Sequence, residues 1–268
     1  MTRRKDDPNP NSQLDRDLAA LRLLEIAKTY REVLDEAARK GSSPLEVLRI
    51  LIGIEATARQ QRAWARRIRE ARLPKLKTLA GYDFTAPKSA PKAAILRLFD
   101  CDFVDANGCA VIVGPTGTGK THLLTALGYV ACEKGYSVRY ARVVDLINHL
   151  TAAQINGTLG KVLGAYVRPS LLLLDELGYL PIDKRGADLL FQVVAARYES
   201  GSIVLTTNRA FKDWGTVLDV DNTLATAMID RLMHHGEAIV IQGKSYRMRD
   251  KDPDTDPDTD PESDPPSA

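Results

Sequence analysis

Apolar residues recur at helical spacing through the first third of the chain, then from residue 109 switch to short blocks separated by helical stretches. Leu14, Leu18, Leu21 and Leu24 open the first pattern, which continues to Ala38 and meets a glycine stop at Lys40-Gly41, so one helix is predicted there. Ser43-Pro44-Leu45-Glu46 sets proline at the first helical position inside a capping box, and a second helix should run from Pro44 to about Arg72. Residues 73–108, interrupted by Pro74, Pro87 and Pro91, read as a connector. The expected organisation is a disordered polar N-terminus over 1–13, a small all-helical domain over 14–78 and a linker over 79–108.

Beyond the linker, strands are predicted at 110–113, 137–143, 171–174, 202–207 and 237–242, alternating with helices at 122–133, 145–154, 158–167, 186–199 and 223–235. Such alternation predicts an α/β domain over 109–249 built on a central parallel sheet. Residues 171–174 are four leucines, the mark of a strand buried on both faces. The Asp-Pro-Asp-Thr repeats of 250–268 cannot bury enough apolar surface to order.

Charge changes this picture at two places. The net +2 of the 268 residues is a −7 tail, 250–268, set against a +9 body, which favours a polyanionic partner. Between Arg59 and Lys77 stand eight basic residues and one acid, Glu70. Arg59, Arg62, Arg66 and Arg69 step by three and four along the second helix and share a face, a candidate contact for a nucleic-acid phosphate backbone, the alternative being an ordinary solvated face. Trp64 beside them is a stacking candidate or a packing residue. No apolar run approaches the ~20 residues that span a bilayer, and the charged start lacks a signal-peptide core, so a soluble cytoplasmic protein without membrane contact is expected. Cys101, Cys109 and Cys132 have no metal-like or paired spacing and are expected as reduced structural residues.

The block at 110–113 leads into Gly114-Pro115-Thr116-Gly117-Thr118-Gly119-Lys120-Thr121 and then a helical pattern from His122, a phosphate-binding loop in its strand–turn–helix setting. Glycine at 114, 117 and 119 admits backbone conformations closed to bulkier residues, so successive N–H groups can point at a phosphate. Residues 114–121 with His122 form the candidate nucleotide-contact set; Lys120 reaches the β- and γ-phosphates, and the Thr121 hydroxyl is placed to hold Mg²⁺. Fifty-five residues after Lys120, the leucine block ends in Asp175-Glu176. Asp175 joins the metal shell, and Glu176 is left to orient and deprotonate the attacking water. Asn208, ending the strand at 202–207, is expected beside the γ-phosphate as a sensor residue. Arg231 is a candidate arginine finger supplied to a neighbouring subunit, the alternative being an ion pair within the chain, and Arg197 is the fallback finger. Tyr82 and Phe84 are candidates for covering an adenine ring or for core packing.

Together GPTGTGKTHL at 114–123, LLLLDELGYLP at 171–181, RYESGSIVLTTN at 197–208, Phe211-Lys212-Asp213-Trp214, DRLMHHGEAIVI at 230–241 and GKSYRMRD at 243–250 resemble the IstB-type transposition helper ATPases, AAA+ relatives of the DnaC/DnaI helicase loaders. The resemblance spans nearly the whole chain except the acidic tail, and Pro115-Thr116-Gly117 stands where Pro-Pro-Gly is commoner. It implies a P-loop AAA+ three-layer sandwich, with ATP and Mg²⁺ as cofactors and hydrolysis by a homo-oligomer carrying ATP at its subunit interfaces. It implies a DNA-binding protein that selects or remodels target DNA and stimulates the transposase of the same element, with double-stranded DNA and that transposase as partners and Lys184 and Arg185 as further DNA-facing residues. The alternative function is a replicative helicase loader like DnaC. A small-molecule kinase is disfavoured, since no arginine-rich lid segment lies between the Walker motifs.

Overall fold

The computed structural model of the protein describes residues 10–85, 89–219 and 222–243. The expectations for residues 1–9, for the acidic tail and for 244–250 of the GKSYRMRD segment lie outside the described residues. Contacts divide the chain into two compact units, residues 1–66 and residues 67–268.

The first unit is helical: α1 (Pro10–Ala20), α2 (Leu24–Lys40) and the start of α3 (Pro44–Ala71). The single helix expected from Leu14 is broken after Ala20, where Arg22 takes φ 56. The break lets Leu18 bury with Ile26 and Tyr30 against Leu23, Ala27 and Leu51, a tertiary gain that outweighs local helical continuity. No side chain of Leu23 can cap α2. Glu55 of α3 does so instead, its carboxylate accepting the N–H groups of Glu25 at 2.7 Å and Ile26 at 3.3 Å. Arg62 donates to Glu55 at 2.7 Å and to Glu25 at 3.1 Å. Burial pushes the Glu55 carboxyl up, but the two N–H groups and the Arg62 guanidinium outweigh it and hold it below the usual carboxylate value. The capping box is present, with Ser43 and Glu46 bonding reciprocally.

The second unit is an α/β sandwich. Five parallel strands, β1 (Cys109–Val113), β2 (Val138–Arg142), β3 (Leu171–Leu177), β4 (Ser202–Thr207) and β5 (Gly236–Val240), lie in the order β2-β3-β4-β1-β5. Strand parity divides the four leucines of β3. Leu171 and Leu173 pack with Ala110, Ile112 and Val204 under α6 (Lys120–Lys134), whereas Leu172 and Leu174 pack with Ile203 and Leu205 under α7 (Val143–Ile155), α8 (Leu159–Val167), α9 (Lys184–Arg197), α10 (Trp214–Val217) and α11 (Asn222–Met233). Residues 92–105, read from the sequence as connector, form α4 (Lys92–Asp100) and α5 (Asp102–Asp105) and bury Ile95, Leu98, Phe99 and Val104 on the α6 face. Pro91 there caps a helix start instead of interrupting a loop. Burial pushes the thiols of Cys101 and Cys132 up to about 11, so both stay protonated and unreactive, and all three cysteines are free.

Arg197, the fallback finger, is unavailable for that role. It is 1% exposed, and its guanidinium donates to the carbonyls of Tyr166, Val167, Pro169, Ser170 and Ser202 at 2.7–3.0 Å. The cation thus sits at the carbonyl end of α8 and ties it to the starts of β3 and β4. Burial lowers its pKa to about 10, which leaves it charged at neutral pH. Replacing it by lysine, which cannot fork to five acceptors, should lower stability by about 3 kcal/mol. Chemical denaturation of Arg197→Lys measures this, and an unchanged midpoint would refute the clamp.

Candidate nucleotide-binding and hydrolytic site

Residues 114–119 connect β1 to α6, whose first residue is Lys120. Gly117 and Gly119 both take φ 84, a left-handed conformation that favours glycine. Gly114 is required for a different reason: a Cβ there would stand 2.6 Å from the Ile241 carbonyl oxygen. At Gly119 a Cβ would also meet the Tyr82 ring at 2.6 Å. Lys120 Nζ donates to the carbonyls of Gly114 and Pro115, 2.7 Å each, which aims it back over the loop.

The loop forms one wall of a cavity of about 440 Å³, within the range of small-ligand sites. A second wall comes from residues 74–83. Tyr82 donates its hydroxyl to the Thr118 carbonyl at 3.2 Å and stands edge-on to Phe84 and to His122. His122 Nε2 lies 2.8 Å from the Thr78 carbonyl, which only accepts, so this nitrogen carries the proton. Lys75 and Lys77, counted in the sequence with the arginine run, line this cavity. The third wall brings Glu176, Tyr179, Thr206, Thr207 and Asn208 from the ends of β3 and β4.

Asp175 and Glu176 are adjacent in sequence but differently placed. Asp175 is 1% exposed and accepts hydrogen bonds from the hydroxyls of Thr121 at 3.2 Å, Tyr140 at 2.9 Å and Thr206. Glu176 is exposed in the cavity. Between Leu174 and Leu177 the β3–β4 register slips, and Glu176 takes φ 65 with its N–H donated to Thr206 Oγ1 at 3.0 Å. Simple alternation would have turned Glu176 toward the face of Leu172 and Leu174; the irregularity re-aims it at the loop. Tyr140 lies in none of the quoted motifs, and Thr206 lies within RYESGSIVLTTN at 197–208 but carried no assignment there. Their signal is parity, since Tyr140 pairs with Leu173 and so shares the sheet face of Asp175, information that exists only once strand order is known.

The donor set suits a magnesium ion. A carboxylate and a hydroxyl 3.2 Å apart offer hard oxygens, and Mg²⁺ takes few protein ligands beside phosphates and water. Among the described residues no group of three His, Cys, Asp or Glu forms a cage for another metal.

Arg231 is not at the cavity. It lies on α11 beside Cys109, at the start of β1, whereas the loop follows the end of that strand. Its guanidinium stands 4.8 Å from the Phe191 ring centroid and donates to the Ala227 carbonyl, and among the described residues it makes no salt bridge. Arg59, Arg62 and Arg66 are exposed on α3 within the first unit, with Arg62 held by Glu25 and Glu55 and Trp64 42% exposed. Arg69 is exposed in the second unit. Lys184 and Arg185 are exposed in the first turn of α9, where Asp183 caps the helix and Arg185 donates to Gln154. No helix among the described residues is long and apolar enough to cross a membrane.

Comparison with known proteins agrees with this geometry. Residues 16–253 match the family model of IstB-like ATP binding proteins. The ATP-binding protein of insertion sequence IS5376 from Geobacillus stearothermophilus is 38% identical over 231 residues, 86% of this chain and 92% of that one. The corresponding protein of IS21 from Pseudomonas aeruginosa is 36% identical over 87% of this chain and 88% of its own. Among solved structures, AMPPCP-bound DnaA from Aquifex aeolicus matches at TM-score 0.54 and 24% identity over 64% of this chain, which spans about half of DnaA (51%). DnaI matches at TM-score 0.52 and 19% identity, covering 66% of this chain and 92% of its own. These structural likenesses identify the core as the P-loop AAA+ fold.

Proposed function

Because the chain belongs to the family of IstB-like ATP binding proteins, we propose that it is a cytoplasmic, Mg²⁺-dependent ATPase that assembles on double-stranded DNA and stimulates the transposase of its insertion sequence. The reading is supported above all by the convergence of Lys120, Thr121, Glu176 and Asn208 on one cavity while Arg231 stands at the other end of the strands. The relatives' names, which attach them to insertion sequences, favour transposition over helicase loading.

On this reading the N–H groups of residues 114–121 hold the phosphates, and Lys120 exchanges the Gly114 and Pro115 carbonyls for β- and γ-phosphate oxygens. Thr121 and Asp175 would hold Mg²⁺, which supplies positive charge to the phosphates. Glu176 orients a water and takes its proton, and Asn208 contacts the γ-phosphate side. The wall of Tyr82 and His122 borders the remainder of the nucleotide. Arg231 completes the site of a neighbouring subunit, so hydrolysis follows assembly. Arg59, Arg62, Arg66, Arg69, Lys184 and Arg185 contact DNA phosphates, which makes binding weakly sequence-specific and steeply salt-dependent. Arg62 contributes least, since its charge is matched by two glutamates.

Light scattering and negative-stain images with ATP and duplex DNA together should reveal oligomers that dissolve as salt rises; monomers throughout would end the proposal. Glu176→Gln should keep ATP and DNA binding while turnover falls at least about a hundredfold, and normal turnover would remove the base assignment. Arg231→Ala should be inactive alone yet recover activity when mixed with Lys120→Ala, because each supplies the half-site that the other lacks. Absence of recovery in co-assembled mixtures counts against a trans-acting arginine.

A further inference from the structure

Three hydroxyls converge on the buried Asp175 carboxylate, and two of them lie outside the phosphate loop. Tyr140 approaches from β2 and Thr206 from β4, the two strands that flank β3, so the carboxylate is gripped from both sides. Thr206, itself 1% exposed, has a second partner: its oxygen accepts the Glu176 N–H at 3.0 Å, at the residue whose φ is 65. One hydroxyl therefore donates to the first acid and holds the backbone of the second. Thr121, the third donor, is itself a candidate metal ligand, so orientation of Asp175 cannot rest on it alone.

We propose that Tyr140 and Thr206 are positioning residues for hydrolysis, which fix the Asp175 carboxylate from both neighbouring strands and, through the Thr206 hydroxyl, lock Glu176 to it as one hydrogen-bonded unit. This rests on the assignment of Asp175 and Glu176 made above. Tyr140 is not among the residues that line the cavity, so its loss should leave nucleotide capture intact while degrading metal use; Thr206 does line it, and its role is read through turnover and its rescue by serine.

The test uses the full chain with Tyr140→Phe, Thr206→Val and Thr206→Ser, a fluorescent ATP analogue titrated with and without Mg²⁺, and steady-state ATP hydrolysis. Metal-free binding of the analogue should match the unmodified protein in Tyr140→Phe, whose side chain is not among those that line the cavity. In Tyr140→Phe the Mg²⁺ concentration for half-maximal effect should rise about tenfold, as for other partners behind a metal ligand. In Thr206→Val kcat should fall about a hundredfold, and Thr206→Ser should recover most of it. Unchanged Mg²⁺ dependence in Tyr140→Phe, a parallel loss of metal-free binding in that variant, or equal impairment of the serine and valine variants each overturns the proposal. Should Thr206→Val not fold, as judged by its melting curve, Tyr140→Phe decides alone. Normal turnover in Glu176→Gln would strike the hydrolytic assignment itself, whereas a normal Tyr140→Phe beside an inactive Glu176→Gln would strike only the positioning role.

Discussion

A carboxylate carried to the end of a wholly apolar strand must find partners there, because an unpaired buried charge costs several kcal/mol, on the order of the stability of a small domain. Asp175 meets that demand with one hydroxyl from each element around it: Thr121 on α6, Tyr140 on β2 and Thr206 on β4. The arrangement needs β4 between β1 and β3, which is the observed order. It also accounts for the slip that follows. Continued alternation would drive Glu176 toward Leu172 and Leu174, so the chain takes a left-handed step, a strain of about 1–3 kcal/mol that the bond from Glu176 N–H to Thr206 helps to offset.

The phosphate loop is equally dependent on its surroundings. Its useful groups are backbone N–H donors, and nothing in a glycine-rich stretch keeps them in place. Gly114 lies against the Ile241 carbonyl, and Gly119 lies against the Tyr82 ring, whose hydroxyl holds Thr118. Tyr82, from a stretch that resembles a tether in sequence, thus lines the cavity beside the loop, and His122 bonds the Thr78 carbonyl and so ties that stretch to α6.

What could be read from the chain and what could not follow from one distinction. Gly114 to Thr121 and Asp175-Glu176 are contiguous, so spacing alone announces them, and β4 falls where its β-branched run ends at Thr207. Tyr140 and Thr206 enter through strand order, which no local pattern encodes. The break after Ala20 is invisible because Leu14 to Leu24 is an unblemished helical pattern; only the burial of Leu18 against Ile26 and Tyr30 decides it. Charge misleads in the same way. Lys75 and Lys77 continue the arginine run in sequence yet line the cavity beside the loop, and Arg197, the fallback finger by sequence, is consumed by five carbonyls.

The separation of Arg231 from Lys120 along the strands of one chain gives any assembly built on their pairing a direction. If one chain's arginine completes the next chain's cavity, the contact is head-to-tail, and its repetition either closes a ring or leaves two unlike ends. In an open array one terminal subunit keeps a cavity that no arginine reaches, and the opposite one presents an arginine without a client. The first would hold its nucleotide longest, so such an array would lose subunits from one end first and would have a polarity along any strand it followed.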